Sequence, residues 1–129
     1  MAERILPHAK AMVLCEDVNR HPDQGTIDLL GVRTTIEAES FPYRHRQLSV
    51  YLEMTCHEGV VPGFINAMNA QTEEEVFRGP THSIRFPNPL VIIPVLFRMR
   101  NCLFPEPGLY WIQFYCHEML IIEHRLTLS

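Results

Sequence analysis

The chain has 129 residues, of which 47% are hydrophobic and 20% charged, and this predicts a single globular domain over residues 1–129. Its formal net charge of −4 excludes the basic surface that a general nucleic-acid-binding protein needs. Ten prolines and six glycines favour frequent turns and disfavour long helices.

Cysteine usage and hydropathy bear on the compartment. The four cysteines, at positions 15, 56, 102 and 116, form no Cys-x-x-Cys pair. No apolar run preceded by basic residues opens the sequence, and the longest apolar run, residues 90–97, is too short to span a bilayer. We therefore expect a cytoplasmic protein with free thiols and no membrane contact.

The first half of the chain predicts several extended segments. Residues 9–14 form a short apolar run, and residues 19–25 are dense in turn-forming residues. Residues 26–36 alternate imperfectly, with a bend or bulge expected at Gly31.

Residues 47–57 are the clearest strand, because they alternate almost without interruption. The row predicted to be buried holds Leu48, Val50, Leu52, Met54 and Cys56. The opposite row includes Tyr51 and Glu53 and is expected to face outward.

Residues 60–71 are ambiguous, since their apolar positions fit either a helix or a strand. Hairpin context favours a strand with Phe64, Met68 and Ala70 on one face. Residues 73–75 are three consecutive glutamates, which indicates a solvated turn.

Two further strands are predicted before the last proline-rich corner. Residues 82–86 are expected to form a short edge strand, which the prolines that follow keep short. In the second strand the inward row is Val91, Ile93, Val95, Phe97 and Met99, and Arg98 and Arg100 face outward. Pro94 must then sit at an edge or a bulge.

Residues 104–128 predict a corner followed by a hairpin. The inward row is Tyr110, Ile112, Phe114, Cys116, Leu120, Ile122, Leu126 and Leu128. Keeping this row on one face places Cys116 opposite Leu120 across a loop of residues 117–119, although a bulge or a longer loop fits equally well. Tyr110 is either a tyrosine corner, with its hydroxyl bonded to upstream backbone, or an ordinary core tyrosine.

Seven to nine strands with a turn signal every 8–14 residues predict an all-β protein, an antiparallel sandwich of two sheets. The order of features resembles a family of uncharacterised bacterial proteins of about 130 residues. The resemblance rests on residues 11–17 (Ala-Met-Val-Leu-Cys-Glu-Asp), the Leu-Leu-Gly-Val ending of residues 29–32, Ser-Phe-Pro at 40–42 and Phe-Pro-Glu-Pro-Gly-Leu-Tyr at 104–110. It implies a compact immunoglobulin-like sandwich and no activity. Relatives tend to carry Asp-Gly where this chain has His117-Glu118.

No motif of catalytic or metal-binding specificity is present, so we expect no catalytic residue, no metal and no cofactor. The tripeptide Cys-His-Glu occurs at 56–58 and at 116–118. If the strands that carry it were adjacent and antiparallel, the two copies would lie at opposite ends of a sheet, about 25–30 Å apart. His45, between two arginines, is interpreted as a solvated loop residue.

The strongest functional signal is a surface. If strands 47–57 and 109–117 are neighbours, their outward rows share one face. That face holds Tyr51, Glu53, Trp111, Gln113, Tyr115 and Ile121. We expect a non-enzymatic module that forms a homodimer or docks a protein partner there. In the alternatives, residues 60–71 cover this face, or Trp111 and Tyr115 stack on a small molecule or sugar; a metal-dependent enzyme is the least favoured reading.

Overall fold

A computed structural model describes residues 6–55 and 57–129, and the regular structure within them is entirely β. The ten strands are β1 His8–His21, β2 Thr26–Val32, β3 Thr35–Ile36, β4 Tyr43–Thr55, β5 Gly59–Asn69, β6 Glu75–Arg78, β7 His82–Phe86, β8 Ile93–Phe104, β9 Gly108–Cys116 and β10 Met119–Leu128. The prediction that residues 60–71 form a strand and not a helix is confirmed by β5.

The strands form two sheets. The four-stranded sheet has the order β2-β1-β4-β8, and the six-stranded sheet has the order β3-β10-β9-β5-β6, with β7 paired to the first half of β5. Every pair is antiparallel except β3 with β10, which is parallel. The predicted two-sheet sandwich is confirmed. The ten strands exceed the predicted seven to nine, partly because the two-residue β3 is too short to show a sequence pattern.

The core lies between the two sheets and is built from the rows that the sequence predicts to be inward. The described members of the β4 row, Leu48, Val50, Leu52 and Met54, are fully buried. The β9 row, Tyr110, Ile112, Phe114 and Cys116, is fully buried as well. Removal of these apolar side chains from water is the main force that holds the sheets together. Cys56, predicted to continue the first row, lies outside the described residues.

Strand β5 reaches the core through a glycine. A Cβ atom on Gly63 would lie 2.9 Å from Cδ1 of Ile84 and 2.9 Å from Cε1 of Phe114, closer than side chains tolerate. The absence of a side chain at this position therefore lets the Phe114 ring pack directly against the β5 backbone.

The tip of the last hairpin differs from the predicted three-residue loop. Cys116 pairs with Met119, so the loop is only His117-Glu118. Both loop residues have positive φ, 51° and 64°, as a type I′ turn requires. A bulge between Leu120 and Ile122 then restores the register. Because of this one-residue shift, Leu120, predicted to be inward, is exposed.

Tyr110 forms the tyrosine corner that was one of its two predicted roles. Its hydroxyl donates to the backbone oxygen of Glu106 at 2.7 Å and accepts from the Glu106 N–H at 3.4 Å. The ring packs edge-on against Phe104, with centroids 5.0 Å apart. The corner thus fixes the crossing from β8 in one sheet to β9 in the other.

We expect Tyr110→Phe to lower the free energy of unfolding by about 1–2 kcal/mol, because the hydrogen bonds between the Tyr110 hydroxyl and the Glu106 backbone are lost while the ring packing is kept. Urea denaturation measures the change. Tyr115→Phe is the matched control, since the Tyr115 hydroxyl is only partly buried and makes one longer bond, 3.3 Å to Gln113. Equal losses in the two variants would contradict a special role for the corner.

The turn predicts a second stability effect. Glu118→Gly is expected to be more stable than Glu118→Ala by about 1 kcal/mol, because both variants remove the carboxylate but only glycine relieves the positive φ. Thermal and urea unfolding of the two variants measures this difference. Equal free energies of unfolding for Glu118→Gly and Glu118→Ala would mean that residue 118 does not hold a positive φ in solution, and would contradict the prediction.

Candidate interaction surface

The structure divides the six residues predicted to share one face. Tyr51 and Glu53 lie on β4 of the four-stranded sheet. The other four lie on the six-stranded sheet: Trp111, Gln113 and Tyr115 on β9, and Ile121 on β10. The predicted pairing of strands 47–57 and 109–117 is therefore wrong. Alternation reveals which face a residue occupies, but it does not reveal which strands are neighbours.

The true neighbour of β9 is β5. Phe64 pairs with Tyr115, Asn66 pairs with Gln113 and Met68 pairs with Trp111. The alternative in which residues 60–71 cover the outer face is thus also wrong, because β5 extends that face sideways. We call this outer surface of the six-stranded sheet the aromatic face. It is defined by Phe64, Asn66, Met68, Glu75, Arg78, Trp111, Gln113, Tyr115, Leu120, Glu123 and Arg125. Ile121, also predicted for this face, lies in the bulge of β10 and packs against the core.

An aromatic stack crosses three strands of the aromatic face. The rings of Phe64 and Tyr115 are nearly parallel, 5° apart in plane angle, with centroids separated by 5.2 Å. On the other side of Phe64, the guanidinium of Arg78 lies 4.6 Å from the ring centroid, in cation–π geometry. Because β9 and β6 flank β5 on opposite sides, both faces of the Phe64 ring are occupied.

A polar row separates this stack from the second apolar row, Trp111 and Met68. Gln113 donates to Glu123 at 2.9 Å and accepts from the Tyr115 hydroxyl, while Asn66 donates to Glu75 at 2.7 Å. Asn66 and Gln113 are only 5% and 4% exposed, although they belong to the outward row. The side-chain oxygen of Asn66 is buried without a hydrogen-bond partner in the described structure.

Glu75, which accepts a hydrogen bond from Asn66 of this polar row, is also paired with a positive charge. Arg78 donates to both carboxylate oxygens of Glu75, with its shortest contact at 2.9 Å. These hydrogen bonds hold the pKa of Glu75 below its ordinary value. The aromatic face therefore presents aromatic and apolar side chains around a hydrogen-bonded row with little net charge.

Sequence reasoning missed Phe64, Asn66, Met68 and Arg78 as members of this face. The signal for two of them was present, since the strand interpretation of residues 60–71 already put Phe64 and Met68 on one side. What was missing was the partner strand. Trp111, Tyr115 and Ile121 are half-buried as placed, and on the other sheet the Tyr51 hydroxyl donates to Glu53 at 3.2 Å.

The structure also contains a buried polar cluster that the sequence did not reveal. His45, interpreted as a solvated loop residue, lies on β4 and is only 6% exposed, so that interpretation is wrong. The Tyr43 hydroxyl lies 3.0 Å from its Nδ1, and Oε1 of Glu16 lies 3.6 Å from its Nε2. Glu16 in turn forms an ion pair of 2.7 Å with Arg33. Because the imidazole is enclosed, a substrate has no direct access to it, and the cluster is best understood as structural.

The described residues contain neither a candidate metal site nor a cysteine with a lowered pKa. None of their His, Cys, Asp and Glu side chains form a group of three or more that could hold a metal ion. The prediction that the two Cys-His-Glu tripeptides lie at opposite ends of a sheet was wrong as well. Because Gly63 pairs with Cys116, Glu58 and His117 lie at the same end of the six-stranded sheet, about 13 Å apart along β5. Burial raises the pKa of Cys102 and of Cys116 to about 12, so these thiols stay protonated.

The fold and this surface define a two-sheet β-sandwich with a structured aromatic outer face. Residues 10–129 match the model of a family of unknown function, DUF6941, and the chain belongs to that family. This confirms the resemblance to an uncharacterised family of about this length. No curated protein matches the sequence. Among residues 6–55 and 57–129 there is no helix long and apolar enough to cross a membrane.

The buried cluster predicts a pH dependence of stability. Burial lowers the pKa of His45, a shift that Glu16 opposes and Arg33 reinforces. In the unfolded chain the imidazole titrates near its ordinary value of about 6.5. Between that pH and the lower pKa of the folded state, the unfolded chain binds more protons, so the free energy of unfolding falls as the pH falls.

We therefore expect the urea midpoint of the wild type to decrease from about pH 7.5 to about pH 5.5 more steeply than that of His45→Asn. Asparagine keeps a hydrogen-bonding group beside Tyr43 but does not titrate. His8→Asn is the control, because it makes the same substitution at an exposed histidine outside the buried cluster. Parallel slopes for wild type and His45→Asn would contradict the assignment.

Proposed function

We propose that this protein is a non-enzymatic interaction module whose aromatic face binds a protein partner, in the simplest case a second copy of the chain. The observation that carries the proposal is the Arg78–Phe64–Tyr115 stack beside the Trp111 and Met68 row. Large aromatic and arginine side chains of this kind are enriched at the centres of protein interfaces.

The orientation of the rings favours a protein over a sugar. A sugar-binding platform needs an open aromatic face on which the pyranose ring can stack. The Phe64 ring has Tyr115 on one side and Arg78 on the other, and Tyr115 uses one of its own faces for the same stack. The stacked rings therefore direct their edges to solvent, which suits a flat protein contact better than a carbohydrate.

The size of the surface sets the extent of the contact. From β10 to β6 the aromatic face spans about 14 Å, and from Trp111 to Tyr115 it spans about 13 Å, so the patch covers roughly 200 Å². A standard interface buries about 800 Å² on each partner. The contact must therefore extend to the hairpin tip, where Met119 and Leu120 are 54% and 44% exposed.

The charge pattern favours a second copy as the partner. Each side of the aromatic face carries one acidic and one basic residue: Glu123 and Arg125 on β10, and Glu75 and Arg78 on β6. In a two-fold arrangement each arginine of one copy can face a glutamate of the other, so the surface is self-complementary and carries no net repulsion.

The setting proposed for this module is the cytoplasm. Cys15, Cys102 and Cys116 are free and buried, as expected for a protein that remains in a reducing environment. A bacterial origin and an immunoglobulin-like arrangement of the strands stay predictions from the resemblance.

The experiment is the concentration dependence of the oligomeric state of wild type and of Trp111→Glu, measured by sedimentation velocity with light scattering. We expect the wild type to form dimers at high micromolar concentration. We expect Trp111→Glu to remain monomeric, because a charge within the contact would have to be desolvated and the large apolar contact area of the indole would be lost.

Tyr51→Glu is the matched control. Tyr51 is also a half-buried aromatic residue on an outward row, but it lies on the four-stranded sheet, so this variant should dimerise like the wild type. Circular dichroism verifies that each variant is folded. A wild type that is monomeric at high micromolar concentration would exclude self-association through this face, and equal effects of the two variants would exclude its location there.

A further inference from the structure

A basic groove runs along the edge of the sandwich and borders the aromatic face at Arg78, which belongs to both surfaces. Two adjoining clefts of about 510 Å³ and about 300 Å³ share His82, Leu96 and Phe97 in their linings. They lie between β8, at the edge of the four-stranded sheet, and β6 and β7 of the six-stranded sheet. We call the two clefts together the arginine groove.

The lining of the arginine groove carries charge of one sign. Its arginines are Arg20, Arg78, Arg85, Arg98 and Arg100, and neither cleft is lined by an aspartate or a glutamate. This concentration of arginine occurs in a chain whose formal net charge is −4. The groove is therefore a local positive region on an acidic protein, and it attracts an anionic ligand.

Most of these guanidinium groups are available to a ligand. Arg78 is bound to Glu75, and Arg98 makes only a long contact of 3.8 Å with Asp17. Within the described part of the chain, Arg20, Arg85 and Arg100 have no carboxylate within 4.0 Å. All three are exposed, so a ligand can reach them without breaking an ion pair.

The floor of the groove offers backbone groups as well as charge. Within residues 6–55 and 57–129, strand β8 has a paired neighbour, β4, on one side only, so alternate residues of β8 direct their N–H and C=O groups toward the groove. Pro94 has no N–H, so the uninterrupted free edge runs from Val95 to Arg100 and is about 17 Å long, enough for a strand of five or six residues. A free strand edge of this kind is a template for the addition of an extended peptide.

We propose that the arginine groove binds an extended acidic peptide segment, which adds to β8 as a further strand and directs its carboxylates to Arg20, Arg85 and Arg100. Backbone hydrogen bonds to β8 fix the direction and register of the peptide. The guanidinium groups select glutamate and aspartate side chains from it.

A single-stranded nucleic acid fits the groove less well. Such ligands rely on open aromatic faces for base stacking, in addition to positive charge. The Phe97 ring of the groove is buried, with the His82 ring 5.5 Å and the Phe114 ring 5.6 Å from its centroid. The excess of acidic residues on the rest of the protein also repels a ligand with one charge per nucleotide.

The test uses fluorescence anisotropy with a labelled eight-residue peptide that alternates Glu with Val. We expect micromolar binding that weakens as salt is added, and no binding of the peptide that alternates Lys with Val. Arg85→Ala and Arg100→Ala should each weaken binding about three- to fivefold, as expected for solvent-exposed ion pairs. Arg125→Ala, on the aromatic face, is the matched control and should leave the affinity unchanged. Trp111→Glu should also bind normally, which separates this site from the proposed dimer contact.

Three outcomes would overturn the proposal. The first outcome uses two peptides, one N-methylated at its odd residues and the other at its even residues, so that one of them must block the peptide edge that pairs with β8. If both bind as tightly as the unmodified peptide, no strand is added. In the second, an eight-nucleotide oligothymidylate binds at least as tightly as the acidic peptide, which makes the ligand a nucleic acid. In the third, Arg125→Ala weakens binding as much as Arg85→Ala, which makes the attraction non-specific. Circular dichroism confirms the fold of each variant, and the exposed positions of these arginines make unfolding an improbable explanation.

Discussion

The pairing of β5 with β9 is the constraint on which the rest of the structure depends. It runs from Gly63 opposite Cys116 to Asn69 opposite Tyr110 and joins the middle of the chain to its last hairpin. On the inner side it brings Phe114 against the bare backbone of Gly63, and on the outer side it places Phe64 against Tyr115. The core and the aromatic face are thus two sides of one register. A shift of a single residue would exchange them.

Local pattern predicted much of this fold, because burial in a sandwich follows the two-residue period of a strand. The rows Leu48–Met54 and Tyr110–Cys116 were inward as predicted, and the corner at Tyr110 could be anticipated from its position after Pro107-Gly108. The choice of neighbouring strands could not be predicted. Nothing in the alternation of residues 47–57 distinguishes β8 and β1 from β9 as partners, so the surface inferred from the sequence joined residues of different sheets.

Electrostatics explains the remaining differences between sequence and structure. His45 stands between two arginines and has the local signature of a loop, yet it is buried because Tyr43 and Glu16 supply polar neighbours from the same sheet. Asn66 and Gln113 are buried on an outward row for a similar reason: Glu75 and Glu123 lie on adjacent strands within hydrogen-bonding distance. Tyr43 precedes His45 by two residues on β4, but Glu16, Glu75 and Glu123 lie on neighbouring strands, so no local pattern predicts these partners.

The alternation of the chain between the two sheets has a consequence for its synthesis on the ribosome. Strand β4 pairs with β8 and β5 pairs with β9, in each case across about forty residues of intervening sequence. The four-stranded sheet cannot be completed until β8 has emerged as far as Phe104, and the six-stranded sheet must wait for β9, which begins at Gly108. A nascent chain therefore carries unpaired edges of β4 and β5 at the same time. Folding is therefore expected to be largely post-translational, and the growing polypeptide is a natural client for chaperones that shield β edges.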